Sequence, residues 1–168
     1  MNTNESTKSF TTDDFRNTCG LWATGVSIVT TVGPEGEPYG LTMNGVTSLS
    51  LDPPMMLVCV DERSDTLAPM TKSRCFCINV LTKDQEQLSN RFAKKGENKF
   101  ESVAWSGATT GAPVIEGSLV SIDCSVSAIY EGGDHKIFCG EAVTIVPAAE
   151  TKPPLIYFAG RYKDLSDG

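Results

Sequence analysis

The chain has 168 residues, of which 14 are Lys or Arg and 21 are Asp or Glu, so its formal net charge is −7. This length is typical of one domain, and 40% of apolar residues suffices for a hydrophobic core. The negative charge disfavours broad electrostatic binding to nucleic acid or to an anionic membrane surface. The single histidine, His135, excludes metal sites built from several histidines and leaves one candidate for a histidine base.

Six cysteines, an even number, suggest disulfides, but most of them lie in apolar, strand-like runs where cysteine acts as a small hydrophobic residue. The N-terminal residues do not resemble a secretory signal, and no run approaches the ~18 apolar residues of a membrane span. We therefore expect a reduced, cytoplasmic protein that is not embedded in a membrane. Cys75 and Cys77 form half of a zinc motif, but a second pair at metal spacing is missing, so no metal site is predicted.

The first structural signal follows a polar tail, residues 1–11, which we expect to be disordered. Thr12 is the predicted N-cap of a helix that extends as far as residue 25. Apolar residues recur on one face of this helix at Phe15, Cys19 and Trp22. We expect that face to cover a barrel or a sheet.

Further along the chain, strand patterns predominate. β-Branched and apolar runs predict strands at 26–32, from 39 onward, at 41–50, 55–61, 75–81, over 114–146 with a turn at 131–134, and at 155–158. The first two of these form a hairpin around a Gly-Pro turn at 33–38. Residues 66–73 suit one or two helical turns. Thr82 and Gln85 form a capping box that opens a helix ending at Gly96, and 102–113 is a loop.

Strands do not alternate one-for-one with helices, which disfavours a doubly wound parallel sheet. The pattern predicts a mainly β fold, a closed or split antiparallel barrel with short peripheral helices. One domain covers 12–164, and 165–168 form a C-terminal tail.

Residues 41–50 are richer in small polar side chains than a core strand should be. Thr42, Asn44, Thr47 and Ser48 offer hydroxyl and amide groups, and Gly45 allows close approach of the backbone. Such a strand can bind a planar, anionic, hydrogen-bonding ligand. The alternative is a solvated strand face.

Three other segments also have a functional and a structural interpretation. Ser64 and Thr66 lie where a short helix begins, which suits either anion binding or N-capping. The basic residues from Arg91 to Lys99 suit either phosphate binding or a solvated helix end. His135 lies in a Gly-Gly-Asp-His turn, where it either contacts a ligand or is a surface histidine. No phosphate loop or dinucleotide-binding glycine motif is present.

Taken together and in order, five segments resemble the flavin reductase family, the small reductase components of two-component flavin monooxygenases. They are WATGVSIVTT at 22–31, NGVTSLSLDPP at 44–54, FCINVL at 76–81, GDHKI at 133–137 and PLIY at 154–157. The resemblance covers about 12–164. One departure is Gly140-Glu141-Ala142, where the family pattern often has Gly-x-Val.

The resemblance implies an FMN-binding split β-barrel of antiparallel, Greek-key-like strands, usually a homodimer. It implies that NADH, or NADPH, reduces FAD or FMN, and that the reduced flavin diffuses to a partner monooxygenase. The cofactors carry this chemistry, so the protein supplies binding and orientation rather than acids and bases.

The resemblance also assigns site residues. Asn44, Val46, Thr47 and Ser48 correspond to contacts with the flavin ring and ribityl chain, with Met43, Gly45 and Asp61 in the same cofactor-binding set. Ser64 and Thr66 correspond to the phosphate contacts, Arg91 and Phe92 to a second phosphate-side and adenine-side contact, His135 to a residue beside the nicotinamide, and Tyr162 to a residue that closes the site.

Two other classes remain open. One is an oxidase or dehydrogenase on the same barrel that keeps a flavin or deazaflavin bound and oxidises an organic substrate. The other is a barrel that binds flavin or haem without catalysis.

Overall fold

The computed structural model describes residues 9–96 and 98–165. Residues 1–8 of the expected N-terminal tail, Glu97, and residues 166–168 of the expected C-terminal tail lie outside the described residues. None of the helices in the described ranges has the length and apolar character needed to cross a bilayer.

The described residues form short helices and many strands. The helices are α1 (Thr12–Cys19), α2 (Leu67–Ser73) and α3 (Glu86–Phe92), the last preceded by a 3₁₀ turn (Lys83–Gln85). The strands are β1 (Thr24–Gly25), β2 (Ser27–Val32), β3 (Pro38–Met43), β4 (Val46–Leu51), β5 (Pro54–Asp61), β6 (Cys75–Val80), β7 (Trp105–Gly107), β8 (Pro113–Ile115), β9 (Val120–Glu131), β10 (His135–Pro147), β11 (Ile156–Phe158) and β12 (Arg161–Lys163). The predicted mainly β class with short peripheral helices is confirmed.

Seven strands form one antiparallel sheet in the order β3-β2-β6-β9-β10-β5-β4. The sheet does not close, because β3 and β4 remain at its two edges. The predicted hairpin is present as β2 and β3, which pair from Ser27 opposite Met43 to Val32 opposite Pro38. A smaller sheet, β1-β11-β12, and the β7-β8 ribbon pack around the main sheet.

Several predicted boundaries were wrong. Helix α1 is capped by Thr11 rather than Thr12, and it ends at Cys19. The helix opened by Thr82 ends at Phe92 rather than Gly96, although the predicted Thr82–Gln85 capping box is present. The predicted strand over 41–50 is two strands, because the chain bends at 44–45 between β3 and β4. The predicted loop at 102–113 contains strand β7.

The expectation that α1 covers the sheet was also wrong. No residue of α1 is buried, and the side chains of Phe15 and Trp22 are 58% and 79% exposed. Helical spacing identifies the apolar face of a helix but not what that face packs against.

Two hydrophobic clusters lie against the main sheet. The first centres on Val58, Phe76 and Phe138. The second centres on Leu81, Phe92 and Leu155, with Tyr157 and Tyr162 packed against it. This second cluster joins α3 to the β11-β12 hairpin.

The side-chain amide of Asn79 on β6 is fully buried, and its hydrogen bonds connect β8 to the main sheet. Its Nδ2 donates to the carbonyl oxygens of Ile28 at 3.1 Å and Pro113 at 3.2 Å. Its Oδ1 accepts from the Ile115 N–H at 2.9 Å and from the Ser121 hydroxyl at 2.7 Å. Buried polar groups must find partners, and this one side chain satisfies groups on three other strands, β2, β8 and β9.

Asn79→Ala should therefore destabilise the protein by about 3 kcal/mol, because it leaves buried donors and acceptors unpaired. The measurement is the free energy of unfolding in urea. Gln87→Ala, which removes an exposed amide, is the control and should change that free energy by less than ~0.5 kcal/mol. Equal effects of the two substitutions would contradict the role given to Asn79.

Candidate functional site

A cleft of about 630 Å³ lies between the end of β3, helix α3 and the β11-β12 hairpin, and we call it the hairpin cleft. Met43 and Asn44 reach it from β3, Asn90 from α3, and Tyr162 from the hairpin. The chain bends at Asn44, directly after β3, and Asn44 is exposed. The cleft is therefore lined by hydroxyl and amide groups and by the aromatic rings of Tyr157 and Tyr162.

Tyr162 is held in place from two sides. Its ring meets that of Tyr157 edge-to-face with centroids 5.5 Å apart, and its hydroxyl lies 2.8 Å from the Ser89 hydroxyl. Ser89, which is buried, also accepts at its carbonyl oxygen from the Thr42 hydroxyl at 2.6 Å. Helix α3 is thus hydrogen-bonded to β3 and to the hairpin at the same residue.

A second cleft of about 430 Å³ adjoins the first and shares Thr42 and Ala93 with it. Four cationic residues line it, and we call it the lysine cleft: Arg63, Lys94, Lys95 and Lys99. Asp61 and Asp65 are its acidic residues. In a chain with a net charge of −7, this concentration of positive charge favours an anionic ligand.

Lys99 is the least exposed of these cations. Its Nζ donates to the carbonyl oxygen of Gly40 at 3.2 Å, and partial burial lowers the pKa of its ammonium group. Gly40 has a structural reason to be glycine, because a Cβ there would lie 2.9 Å from Cε1 of Phe92. Phe92 can therefore pack directly against β3, beneath the place where the two clefts meet.

The turn after β5 contributes Asp61, Arg63 and Ser64 to the lysine cleft. Hydrogen bonds from Arg63 hold the pKa of the Asp61 carboxyl well below its usual range. The Ser64 hydroxyl accepts from the Thr66 N–H at 3.2 Å within the turn before α2, whereas the N-cap of α2 is Thr66, which makes no side-chain capping hydrogen bond. Thr66 itself is buried and lines a separate cleft.

His135 begins β10, directly opposite Asp61 on β5. Its Nδ1 lies 2.7 Å from Oδ1 of Asp134, and its side chain is 39% exposed. His135 borders the turn that lines the lysine cleft but lines neither cleft itself.

The structure brings together six of the residues predicted from the sequence: Met43, Asn44 and Tyr162 in the hairpin cleft, and Asp61, Ser64 and Phe92 in the lysine cleft. Gly45, Val46, Thr47 and Ser48 continue away from the clefts along β4. Thr47 and Ser48 are exposed, while Val46 packs against the first hydrophobic cluster.

Arg91 does not lie with the others. Its Nη1 donates to the carbonyl oxygen of Glu101 at 2.7 Å, and it lines a cleft on another side of α3. The sequence analysis identified the basic stretch that contains Lys94, Lys95 and Lys99, but from this stretch it chose Arg91 as the phosphate-side contact. Arg63 and Asn90 line the clefts but were not named as site residues from the sequence. The only sequence feature that points to them is that they are adjacent to Ser64 and Arg91.

The cysteines do not provide a metal centre among the described residues, and all six are free. Cys75, Cys77, Cys124 and Cys139 are buried, and burial raises the pKa of the Cys124 thiol to about 12. These four pack as small hydrophobic residues of the strands, as the sequence context of Cys75, Cys77 and Cys139 predicts.

An open antiparallel barrel with an elongated groove that ends in clustered cations defines a protein that can bind a phosphate-bearing cofactor. The family model described as "Flavin reductase like domain" matches residues 19–166. The chain belongs to this flavin reductase-like family, which confirms the family and the split-barrel fold predicted from the sequence.

Individual relatives agree with this assignment. The chain is 38% identical over 150 residues to the reductase subunit HsaB of a flavin-dependent monooxygenase from Mycobacterium tuberculosis, covering 88% of this chain and 79% of that protein. It is 39% identical over 152 residues to a flavin reductase (NADH) from Kitasatospora aureofaciens, covering 89% of this chain and 80% of the relative.

Among solved structures, the NADH:FAD oxidoreductase SgcE6 of Streptomyces globisporus superposes with a TM-score of 0.88 at 33% identity, covering 95% of this chain and 96% of that one. The same enzyme has been solved with NAD and FAD fragments bound.

Proposed function

We propose that the chain is an NADH-dependent flavin reductase that reduces FAD or FMN and supplies the reduced flavin to a partner monooxygenase. The observation that carries the proposal is the continuous groove formed by the hairpin and lysine clefts. One end offers hydroxyl and amide groups, and the other end offers four cations. The relatives' names support the same activity.

The donor set of the groove fits a flavin nucleotide. The polar rim of Asn44, Asn90 and Tyr162 suits the hydrogen-bonding edge of a planar ring. Lys94, Lys95 and Lys99 suit the phosphate, which needs concentrated positive charge in an acidic protein. Thr42 and Ala93, shared by both clefts, lie along the connection between the two ends.

When bound, NADH supplies a hydride and the flavin takes it up together with a proton, giving NAD⁺ and reduced flavin. The protein therefore needs no nucleophile or strong acid. The groove residues bind and orient the flavin, and we assign the nicotinamide contact to His135. Because Nδ1 of His135 faces Asp134, Nε2 is the ring nitrogen available to a ligand.

The other site residues named from the sequence do not support the proposal equally. Met43 and Ser64 line the groove, whereas Gly45, Val46, Thr47 and Ser48 require the flavin to extend along β4. Thr66 supports the Ser64 turn. We assign Arg91 no phosphate contact in this chain, because its guanidinium is bonded to Glu101 on another side of α3.

We also propose that the chain forms a homodimer in the cytoplasm. The exposed apolar residues of α1 and the turn after it, Phe15, Leu21 and Trp22, favour burial against a second copy, since single chains rarely expose such a group. The free cysteines suit a reducing compartment.

Activity is tested by mixing the purified protein with NADH and following nicotinamide absorbance. NADH should be consumed when FAD or FMN is added and not without flavin, with NADPH as a comparison. Absence of flavin-dependent turnover with either nicotinamide would overturn the proposal. A tightly bound flavin bleached by an organic substrate without nicotinamide would favour the oxidase class, and a haem Soret band would favour a binding barrel.

Lys99→Met should weaken FMN binding about tenfold, because the phosphate loses one partly buried cationic donor. Riboflavin, which lacks the phosphate, should bind the variant within about twofold of wild type. Fluorescence titration measures both affinities. Lys72→Met, which removes an exposed lysine of α2, is the matched control, and equal loss of FMN and riboflavin binding would contradict the phosphate assignment.

The dimer is tested by light scattering on the wild type and on the double variant Phe15→Ser/Trp22→Ser. The wild type should have twice the chain mass of 18.0 kDa, and the variant should dissociate because it loses apolar contact area. Tyr130→Ser, at a comparably exposed aromatic residue on β9, should remain a dimer. A monomeric wild type would reject the dimer, and dissociation by Tyr130→Ser alone would move the interface away from α1.

A further inference from the structure

Two charged turns meet where β5 ends and β10 begins. Asp61 is the last residue of β5 and His135 is the first residue of β10. The two residues lie directly opposite each other in the antiparallel register. One residue further, the Glu62 N–H donates to the carbonyl oxygen of Asp134 at 3.0 Å. The turn that lines the lysine cleft is therefore fixed by its backbone to the turn that carries the histidine.

Within the first turn, Asp61 accepts three hydrogen bonds from Arg63. The Arg63 N–H and Nε donate to Oδ1 at 2.7 and 3.0 Å, and Nη2 donates to Oδ2 at 2.7 Å. Two-point contact between guanidinium and carboxylate fixes the orientation of both groups. Asp61 thus has its charge partner within its own turn. A carboxylate in this state repels a flavin phosphate rather than binding it, so its role is within the protein.

Asp61 is also close to His135. Residues directly opposite in an antiparallel pair point to the same face, with Cβ atoms about 4.5–5.5 Å apart. The pKa of the Asp61 carboxyl is lowered first by Arg63 and, to a smaller extent, by His135, which places the imidazole within its electrostatic reach. Asp134 holds the other side of the ring at Nδ1.

Other charges in the two turns pair among themselves. Lys136 contacts Glu131 at 2.5 Å and Glu62 at 3.9 Å. His135 has the Asp134 carboxylate at its Nδ1 and Asp61 opposite it on β5, and Arg63 is hydrogen-bonded to Asp61.

We propose that Asp61 and Arg63 are positioning residues that fix His135 relative to the lysine cleft, and through it the nicotinamide relative to the flavin. This inference rests on the proposed reductase function. It removes Asp61 from the flavin-binding set and adds Arg63 to the residues on which hydride transfer depends. Neither residue is assigned a contact with substrate.

The first test does not depend on activity. His135 is the only histidine in the sequence, so its imidazole C2 proton gives one unambiguous NMR signal. Asp61→Asn should move this signal, because it removes a charge beside the ring and releases Arg63. Asp84→Asn, which removes an exposed carboxylate paired with Lys152, is the matched control and should leave the signal in place. An unmoved signal in a folded Asp61→Asn protein would overturn the inference.

The second test is a double-mutant cycle on NADH oxidation. Asp61→Asn should lower kcat/KM for NADH about five- to tenfold in the wild-type background and less than about twofold in the His135→Ala background. Asp61→Glu, which keeps the charge, should recover part of the loss. Flavin affinity should fall by no more than about threefold in any of these variants.

The outcomes distinguish failure of the positioning role of Asp61 from failure of the proposed reductase function. Equal losses in both backgrounds would show that Asp61 does not act through His135, and a tenfold loss of flavin affinity with normal NADH kinetics would return Asp61 to the flavin-binding set. If His135→Ala leaves NADH kinetics unchanged, the nicotinamide role of His135 is wrong, and the NMR signal alone decides whether Asp61 positions the ring. Absence of any reductase activity would reject the function and leave the NMR result standing.

Discussion

The groove depends on how one residue of α3 is hydrogen-bonded. Ser89 is buried, its carbonyl oxygen accepts from Thr42 on β3, and its hydroxyl pairs with Tyr162 on the hairpin. Moving α3 away from either neighbour would leave a buried polar group without a partner, which costs about 1–3 kcal/mol. Because both clefts use this end of α3 as a wall, the same contacts set the width of the hairpin cleft and the position of the lysine cleft.

Packing acts together with these hydrogen bonds. Phe92, the last residue of α3, fills the second hydrophobic cluster and lies against Gly40, where a larger residue would collide with its ring. The chain leaves the helix immediately after this buried anchor, and Lys94 and Lys95 follow within three residues. A buried phenylalanine therefore determines where the exposed lysines lie, so that the hydrophobic core and the charge of the site are linked.

The sequence predicted the parts of this arrangement that local chemistry decides. The β-branched run at 26–32 forms β2, and the Thr82–Gln85 capping box opens its helix. Asn44 was noted from the polar character of its segment, whereas Tyr162 was named only through the family resemblance. The sequence did not predict that Arg91 lies apart from the two clefts, because the direction of a helical side chain changes by about 100° per residue, and the place where α3 ends depends on tertiary packing. It also failed at α1, since an apolar face does not reveal whether its partner is the same chain or another. The Asp61–Arg63 contact joins residues two apart in a turn, and neither periodicity nor capping rules predict it.

The acidic composition limits where an anionic ligand can be held, but it does not exclude one. Charges more than about 8 Å apart are largely screened at physiological ionic strength, so the net charge of −7 matters less to a phosphate than the groups beside it. Next to the lysine cleft, Asp61 is paired with Arg63, and on the neighbouring turn Glu131 is paired with Lys136. These contacts offset nearby negative charge, and Lys94, Lys95 and Lys99 outnumber the other acidic residue of the cleft, Asp65, in setting the local potential. Lys94 and Lys95 are solvent-exposed, and exposed ionic contacts contribute little free energy. The proposed site therefore suits modest retention of a flavin nucleotide, and a reductase that supplies reduced flavin to a partner monooxygenase has to release it.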